Sequence, residues 1–248
     1  MTVLLLDLGN SRWKMARAEG AELGPVVSGE YTDITMLRTA VARESEQVAD
    51  IWLASVADTQ TTRSVAAAVA GACALPMRQV ASTDRMPNLV SGYRRPEQLG
   101  VDRLLAMVAA RARTGRALCV VDAGTAVTID FVDAQGSHLG GFILPGIRLF
   151  RECLLANTAI PRTSHVDRQA LLGRDTATAV ALGARYAVSG IVERFTTGSA
   201  ALFPGQVVEI FVGGGDAAHF MELLPQPCIK LDHLVLQGLA VMAAGGDG

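Results

Sequence analysis

Two short stretches of the chain share an arrangement of residues that could bind phosphate. In each stretch an apolar run ends in an aspartate, a glycine follows two positions later, and a hydroxyl residue comes one or two positions after the glycine. The two copies are Asp7-Leu8-Gly9-Asn10-Ser11 and Asp122-Ala123-Gly124-Thr125. One such turn is weak evidence, but two at matching places in strand-rich halves indicate two halves built on one plan.

The residue types in these turns suit phosphate chemistry. Glycine lets the backbone approach a ligand closely, and turn amides and hydroxyls can donate to phosphate oxygens. An aspartate at a strand end can hold a metal ion or its water shell. Lys14 follows the first turn, and it is one of only two lysines in a chain with twenty arginines. We interpret it as a compact charge directed at a transferred phosphate.

A third glycine cluster, Gly213–Gly215, follows the apolar run Val207–Val212, and we predict a helix behind it. A strand, a glycine turn and a helix place free amides where ligands bind in open α/β sheets. The chain has neither a G-x-G-x-x-G fingerprint nor a Walker A motif.

The elements that must position these turns follow an α/β order in the first half. Aspartates at 33 and 58 are predicted helix caps. The predicted elements are strands Val3–Asp7, Arg12–Ala18, Pro25–Tyr31, Ile51–Val56 and Met77–Val80, and helices Met36–Glu46 and Thr61–Ala70.

The stretch Ser82–Leu99 is predicted to be a long loop, and such loops in compact domains are often functional. It leads into Gly100-Val101-Asp102-Arg103 and a helix over Leu104–Arg113. Asp102 therefore falls near a helix N-terminus, where the helix dipole favours a carboxylate. We place the boundary between the halves at Thr114–Arg116.

The second half repeats the plan. A helix is predicted to end near Asn157, Ile160–Leu172 is predicted to be a loop, and a long helix is predicted to run from Asp175 or Thr176 to about Thr197. That helix is apolar or small over most of its circumference, so it either faces a second subunit or lies between the two halves. The remaining predicted elements are strands Ala117–Asp122, Val127–Val132, His138–Leu144, Val207–Val212 and Ile229–Leu231, and helix Leu234–Ala244.

Composition narrows the class of protein. The 248 residues carry a formal net charge of −2 without a basic run, which gives no indication of nucleic-acid binding. No apolar run reaches the ~18 residues that span a membrane. The four cysteines are scattered and indicate buried thiols in a reducing compartment. With no signal peptide, we expect a cytoplasmic protein.

Together these motifs resemble the acetate and sugar kinase/Hsp70/actin superfamily, and within it most closely the type III pantothenate kinases. Residues 7–14 resemble the phosphate-1 motif, residues 122–126 the phosphate-2 motif, and residues 213–215 the adenosine motif. Further matching segments are Gly100–Arg103, Gly140–Gly146, Leu172–Thr176 and His233–Leu239. Ser11 replaces the commoner threonine, and Asp175 stands where the family often has asparagine.

The resemblance implies two similar ribonuclease H-like (actin-like ATPase) domains, each with a mixed five-stranded sheet and helices, and a cleft between them. Residues 1–115 would hold the phosphate-1 motif and the substrate loop, and residues 116–248 the phosphate-2 and adenosine motifs and a dimer helix. It also implies ATP-dependent phosphorylation of pantothenate at its primary hydroxyl, the first step of coenzyme A synthesis. Mg²⁺ and a monovalent cation, K⁺ or NH₄⁺, would take part in a homodimer with a shared substrate pocket.

Roles are carried over residue by residue from the resemblance. Asp102 would be the general base, Asp122 would bind the monovalent cation, and Asp7 would hold the Mg²⁺ shell. Thr176 would reach the neighbouring subunit's substrate. The implied pantothenate-binding residues are Tyr93, Gly100, Val101, Arg103 and Thr176. The implied ATP-binding residues are Asp7, Leu8, Gly9, Asn10, Ser11, Lys14, Gly124, Thr125, Gly213, Gly214 and Gly215.

Two other functions stay open from the sequence. One is another small-molecule kinase of the superfamily, acting on acetate or a sugar, which the Gly100–Arg103 motif and the short chain disfavour. The other is a non-catalytic transcription accessory factor on the same fold. Asp7, Lys14, Asp102 and Asp122 are all present, which favours turnover.

Overall fold

The computed structural model describes residues 2–160, 166–167, 170–198 and 201–245. The chain divides into two compact units. The first contains residues 1–115, 135–138 and 233–248, and the second contains residues 116–134 and 139–232. Each unit holds one mixed sheet with helices, so the predicted α/β class is confirmed.

The first sheet begins with the hairpin that carries the first turn. Strands β1 and β2 pair antiparallel, and β5 and then β6 continue the sheet in parallel on the other side of β1. The sheet has six strands in the order β3-β2-β1-β5-β6, with β4 also paired to β2. The strands are β1 Thr2–Leu8, β2 Trp13–Glu19, β3 Glu22–Leu23, β4 Val27–Gly29, β5 Ile51–Ser55 and β6 Met77–Gln79.

The predicted strand Pro25–Tyr31 was therefore too long, and the predicted five-stranded sheet has a sixth strand. The backbone N–H of Gly24 donates to the carbonyl of Arg17. The residue that follows Gly24 is Pro25, which has no N–H to donate to a neighbouring strand. The chain forms two short strands, β3 and β4, around this point.

Aspartate caps set the starts of two helices in the first unit. The Asp33 carboxylate accepts from the Met36 N–H at 2.9 Å, and the Asp58 carboxylate accepts from the Thr61 N–H at 2.9 Å. The Thr61 hydroxyl and N–H also hold the pKa of Asp58 below its usual value. The helices are α1 Ile34–Glu44, α2 Thr59–Ala70, α3 Val101–Arg111 and α6 Leu234–Gly245.

Helix α6 belongs to the first unit, whereas the sequence analysis placed it in the second half. It packs along α3, and a Cβ added at Gly238 would overlap the backbone of Leu105. The chain thus returns to the first unit after completing the second. The glycine gives the two helices close backbone contact.

The second sheet has five strands in the order β11-β10-β7-β8-β9. Strands β7 and β8 form an antiparallel hairpin, and β10 runs parallel to β7, as β5 does to β1 in the first sheet. The elements are β7 Ala117–Ala123, β8 Ala126–Val132, β9 His138–Pro145, β10 Val208–Gly213, β11 Cys228–Lys230, α4 Ile147–Asn157 and α5 Thr176–Thr196.

Two loop predictions have different outcomes. Residues 82–99 contain only isolated bridges at Met86–Leu89 and Val90–Ser137 and a 3-10 turn at Pro96–Gln98, so the long loop is confirmed. The predicted loop Ile160–Leu172 lies partly outside the described residues.

Within the part of the chain that the structure covers, no helix has the length and apolar character to cross a bilayer.

Candidate active site

The first turn, Gly9–Arg12, joins β1 to β2 and presents two exposed polar residues, Asn10 and Ser11, at its tip. The N–H of Gly9 donates to the carbonyl of Arg12 at 3.2 Å, which closes the turn. Leu8, the last residue of β1, is fully buried and anchors the turn in the core.

A charged pair lies directly beside the first turn. Asp7 and Lys14 are cross-strand neighbours, and Lys14 Nζ lies 3.8 Å from Asp7 Oδ2. Asp7 is 6% exposed, whereas a third of the Lys14 side chain reaches solvent. At this length, and with one partner in solvent, the pair adds little to stability.

Asp102 lies in the first turn of α3, one residue after the helix begins at Val101. Gly100 is the N-cap residue, and Asp102 Oδ1 accepts the backbone N–H of Arg103 at 2.8 Å. The carboxylate is partly exposed, as a group that meets a substrate must be.

Arg103 turns inward from the same helix and is 4% exposed. Its Nη1 donates to the hydroxyl of Tyr93 at 2.7 Å, and its Cζ lies 5.6 Å from the centre of the Tyr93 ring. A buried guanidinium is costly unless it is paired and hydrogen-bonded. The long loop thus supplies a partner for the arginine beside Asp102, and the structure brings Tyr93, Asp102 and Arg103 together.

His138 also belongs to this group, although no candidate site in the sequence analysis included it. Its ring stacks on Tyr93 with centroids 5.8 Å apart and planes 15° apart, and it is 2% exposed. The backbone also ties the two segments together, since the His138 N–H donates to the Val90 carbonyl and the Val90 N–H to the Gly136 carbonyl, both at 2.9 Å. The contact joins residues 45 positions apart (93 to 138), and no local pattern signals it.

The second turn, Gly124–Thr125, joins β7 to β8 in the second unit. The Gly124 N–H donates to the Ala126 carbonyl at 2.9 Å. The Gly146 N–H donates to the Thr125 carbonyl at 2.9 Å, and a Cβ at Gly146 would overlap the carbonyl of Gly124. The turn that leads into α4 therefore packs backbone to backbone against the second turn.

The glycine cluster 213–215 lies against the other side of the second turn. Gly213 is the parallel neighbour of Asp122, and the Asp216 N–H donates to the Ala123 carbonyl at 2.9 Å. Gly214 has φ +90°, and a Cβ there would overlap the backbone of Ala123. Close approach at a positive φ explains a glycine at this position. The structure thus brings the second turn and the glycine cluster together.

The helix predicted directly behind the glycine cluster was wrong. Only a 3-10 turn, Ala217–His219, follows it. Isolated turns continue after it, with the Met221 N–H donating to the Ala217 carbonyl and the Leu224 N–H to the Phe220 carbonyl, and they do not join into a helix.

Thr176, the remaining candidate, is the first residue of α5 and is exposed. The preceding Asp175 is the N-cap and accepts from the Thr178 N–H at 2.9 Å and from the Thr178 hydroxyl at 2.7 Å. The aspartate found in place of the family's usual asparagine therefore serves as a helix cap. Among the described residues, no group of three or more His, Cys, Asp or Glu side chains could hold a metal ion.

Comparison with known proteins decides the family. A sequence profile of type III pantothenate kinases matches residues 3–198. The type III pantothenate kinase of Aromatoleum aromaticum is 37% identical over 97% of this chain and 97% of its own length. The enzyme of that name from Nitrosococcus oceani is 32% identical over 97% of this chain and 93% of its own length. The chain belongs to the type III pantothenate kinase family.

Solved structures with a similar fold share little sequence identity with this chain. A Baf family transcriptional activator from Campylobacter jejuni has a TM-score of 0.64 at 20% identity, covering 98% of this chain and 99% of its own. The activator of 2-hydroxyisocaproyl-CoA dehydratase from Clostridium difficile, solved with bound ADPNP, has a TM-score of 0.56 at 10% identity, covering 98% and 93%. At such identities they show the fold of this type III pantothenate kinase family member and nothing more.

Proposed function

We propose that this chain transfers the γ-phosphoryl group of ATP to the primary hydroxyl of pantothenate and so makes 4′-phosphopantothenate, the first step of coenzyme A synthesis. The observation that carries the proposal is the match to type III pantothenate kinases over nearly the whole chain. The four charged residues that the family pattern uses, Asp7, Lys14, Asp102 and Asp122, are all present. A cytoplasmic location belongs to the same proposal and suits four cysteines that form no disulfide.

The first turn is proposed to hold the ATP phosphates. Asn10 and Ser11 are exposed at its tip, where backbone N–H groups and the serine hydroxyl would donate to phosphate oxygens, and Lys14 would supply a positive charge next to the turn. Phosphoryl transfer passes through a loose transition state, so positioning and charge stabilisation are the main demands on the protein. The same role is proposed for Gly124 and Thr125 of the second turn and for the glycine cluster at residues 213–215.

Asp102 is proposed to accept the proton of the primary hydroxyl. The freed oxygen then bonds to the γ-phosphorus, the bond from that phosphorus to the bridging oxygen of ATP breaks, and ADP leaves. Arg103, the residue after the proposed base, is joined to Tyr93 by a 2.7 Å hydrogen bond. With Gly100 and Val101 they are proposed to hold pantothenate.

Mg²⁺ and a monovalent cation are the proposed ions. Asp7 and Asp122 each place a carboxylate one residue before the end of a strand, and carboxylate oxygens are ligands that hard cations prefer. When bound, these ions would neutralise charge on the transferring phosphates. Asp122 is partly exposed at the end of β7, where its carboxylate can reach an ion beside the second turn.

A homodimer with a shared substrate pocket completes the proposal. The exposed side of α5 carries mainly small residues, Gly183, Ala187 and Gly190, next to the half-exposed Tyr186. Small residues permit close backbone approach between helices. Thr176 at the start of the same helix would then contact the partner's substrate.

The test is an acceptor panel. ADP release from ATP is measured with the purified chain and pantothenate, acetate or glucose as acceptor, and we expect kcat/KM for pantothenate to exceed the others by orders of magnitude. A preference for acetate or a sugar would contradict pantothenate as the substrate. If no acceptor led to ADP release, the proposal that the chain is a kinase would be contradicted.

A further inference from the structure

Tyr31 lies outside every motif identified in the sequence, yet it contacts the first turn directly. Its hydroxyl donates to the carbonyl of Gly9 at 2.6 Å. The Gly9 N–H meanwhile donates to the Arg12 carbonyl at 3.2 Å. Both polar groups of Gly9 are therefore held, one within the turn and one by Tyr31.

The geometry of the peptide bond links the direction of the Gly9 carbonyl to the direction of the Asn10 N–H. In a planar trans peptide the carbonyl of one residue and the N–H of the next point in opposite directions. Holding the Gly9 carbonyl toward Tyr31 therefore aims the Asn10 N–H away from Tyr31. Asn10 is exposed at the tip of the turn, so its N–H points toward the space that a ligand could occupy.

The segment Gly29–Tyr31 is itself fixed to β2. Trp13 pairs with Gly29, and its indole ring fills the space that a side chain at Gly29 would need. Trp13 Nε1 also donates to the Glu30 carbonyl at 3.3 Å. Trp13 is 1% exposed and part of the core of the first unit, so Tyr31 is attached to a rigid element.

The electrostatic surroundings keep the tyrosine hydroxyl protonated. Burial raises the pKa of Tyr31 well above its usual value, and the nearby carboxylates of Asp7 and Asp58 raise this pKa further. The hydroxyl therefore remains a hydrogen-bond donor at neutral pH.

We infer that Tyr31 is a positioning residue for the nucleotide: it orients the Gly9–Asn10 peptide so that the first turn meets the phosphates of ATP already aligned. This inference rests on the proposed function, since it takes ATP as the ligand of the turn. Preorganised donors need no rearrangement when the charge arrives.

The test compares Tyr31→Phe, which removes only the hydroxyl, with the wild-type chain. Mg·ATP is titrated calorimetrically in the absence of pantothenate, and KM is measured for both substrates. We expect ATP affinity to fall by about fivefold, the effect of one hydrogen bond. KM for ATP should rise in parallel, while KM for pantothenate stays near wild type and the melting temperature falls by no more than about a few degrees, the cost of the same hydrogen bond.

Tyr31→Leu and Thr39→Val are the comparison variants. The leucine variant also removes the ring, so it should show the same loss of ATP affinity with a lower melting temperature. Thr39→Val removes another hydroxyl-to-carbonyl bond, 2.9 Å to Thr35 on exposed helix α1, and should leave both KM values unchanged.

Two results would overturn the inference. One is unchanged ATP affinity in Tyr31→Phe, and the other is a fall in melting temperature with equal rises in both KM values, which would show a purely structural role. A wild-type chain that binds ATP but does not phosphorylate pantothenate would contradict the proposed function alone, because the ATP titration still decides the role of Tyr31. A wild-type chain that binds no ATP would overturn both.

Discussion

The two turns repeat one sequence pattern but are supported by different means. The first turn is flanked by a charged pair, Asp7 and Lys14, and is held from the side by a tyrosine hydroxyl. The second turn is enclosed by backbone, with Gly146 on one side and Gly214 on the other. We therefore expect side-chain substitutions in the first unit to change catalysis or ligand binding. In the second unit, we expect a methyl group added to a glycine beside the turn to change the stability of the fold.

The largest effect is expected at Asp102 in the first unit. Asp102→Asn keeps the shape and can still accept the Arg103 N–H, but it removes the proposed base. Turnover should fall by ~10²–10⁴, the usual loss for a general base. ATP affinity and melting temperature should stay near wild type, as calorimetry and thermal unfolding would show. Near-normal kcat would remove Asp102 from the mechanism.

In the second unit, Gly146→Ala should act on stability. Gly146 has φ −64°, which any residue adopts, so the cost is the steric overlap of the new methyl with the Gly124 and Thr125 carbonyls. Overpacking of this kind costs about 1–3 kcal/mol. Thermal unfolding should show a clearly lower melting temperature, whereas the control Gly115→Ala, with open space around it, should not. Equal melting temperatures for the two variants would contradict the close packing.

A smaller effect is expected from the monovalent cation. Turnover should be severalfold lower in sodium-only buffer than in potassium or ammonium buffer, because an oxygen-lined site discriminates among cations by size and hydration. Asp122→Asn should abolish the difference between buffers. Steady-state rates in the three buffers give the answer, and equal wild-type rates would remove the cation from the proposal.

The smallest effect is expected from a substitution that weakens dimer formation through the exposed side of α5. Ala187→Glu adds a charge at an exposed position and should shift the chain from dimer to monomer, with activity falling in proportion to dimer content. Ala184→Arg, an obvious choice from the sequence, is unsuitable because Ala184 is 5% exposed within its own unit. Sedimentation at assay concentration is the measurement, and a fully active monomer would contradict the shared pocket.

Local chemistry was enough to predict most helices and strands. The aspartates at 33 and 58 cap two helices as predicted, and Asp175 caps a third. The two turns and the glycine cluster were visible because glycine and aspartate recur at short, fixed spacing. These signals are short-range, and they identify candidate residues without showing what surrounds them.

Three features that sequence reasoning missed depend on contacts between distant segments. Tyr31 meets Gly9 across 22 positions, and His138 stacks on Tyr93 from a different part of the chain. The return of α6 to α3 depends on a close approach at Gly238, which looks like an ordinary helix glycine in the sequence. Tertiary packing decides which distant residues meet, and no local pattern in a single sequence indicates these contacts.

The central claim, phosphoryl transfer from ATP to the primary hydroxyl of pantothenate, is tested most directly by phosphorus NMR of the reaction product. The account predicts a single phosphomonoester resonance split by two adjacent protons, because the ester oxygen of a primary alcohol is attached to a CH₂ group. A signal split by one proton would place the phosphate on the secondary hydroxyl. Inorganic phosphate and ADP signals without a phosphomonoester resonance would show ATP hydrolysis, and either result would contradict the account.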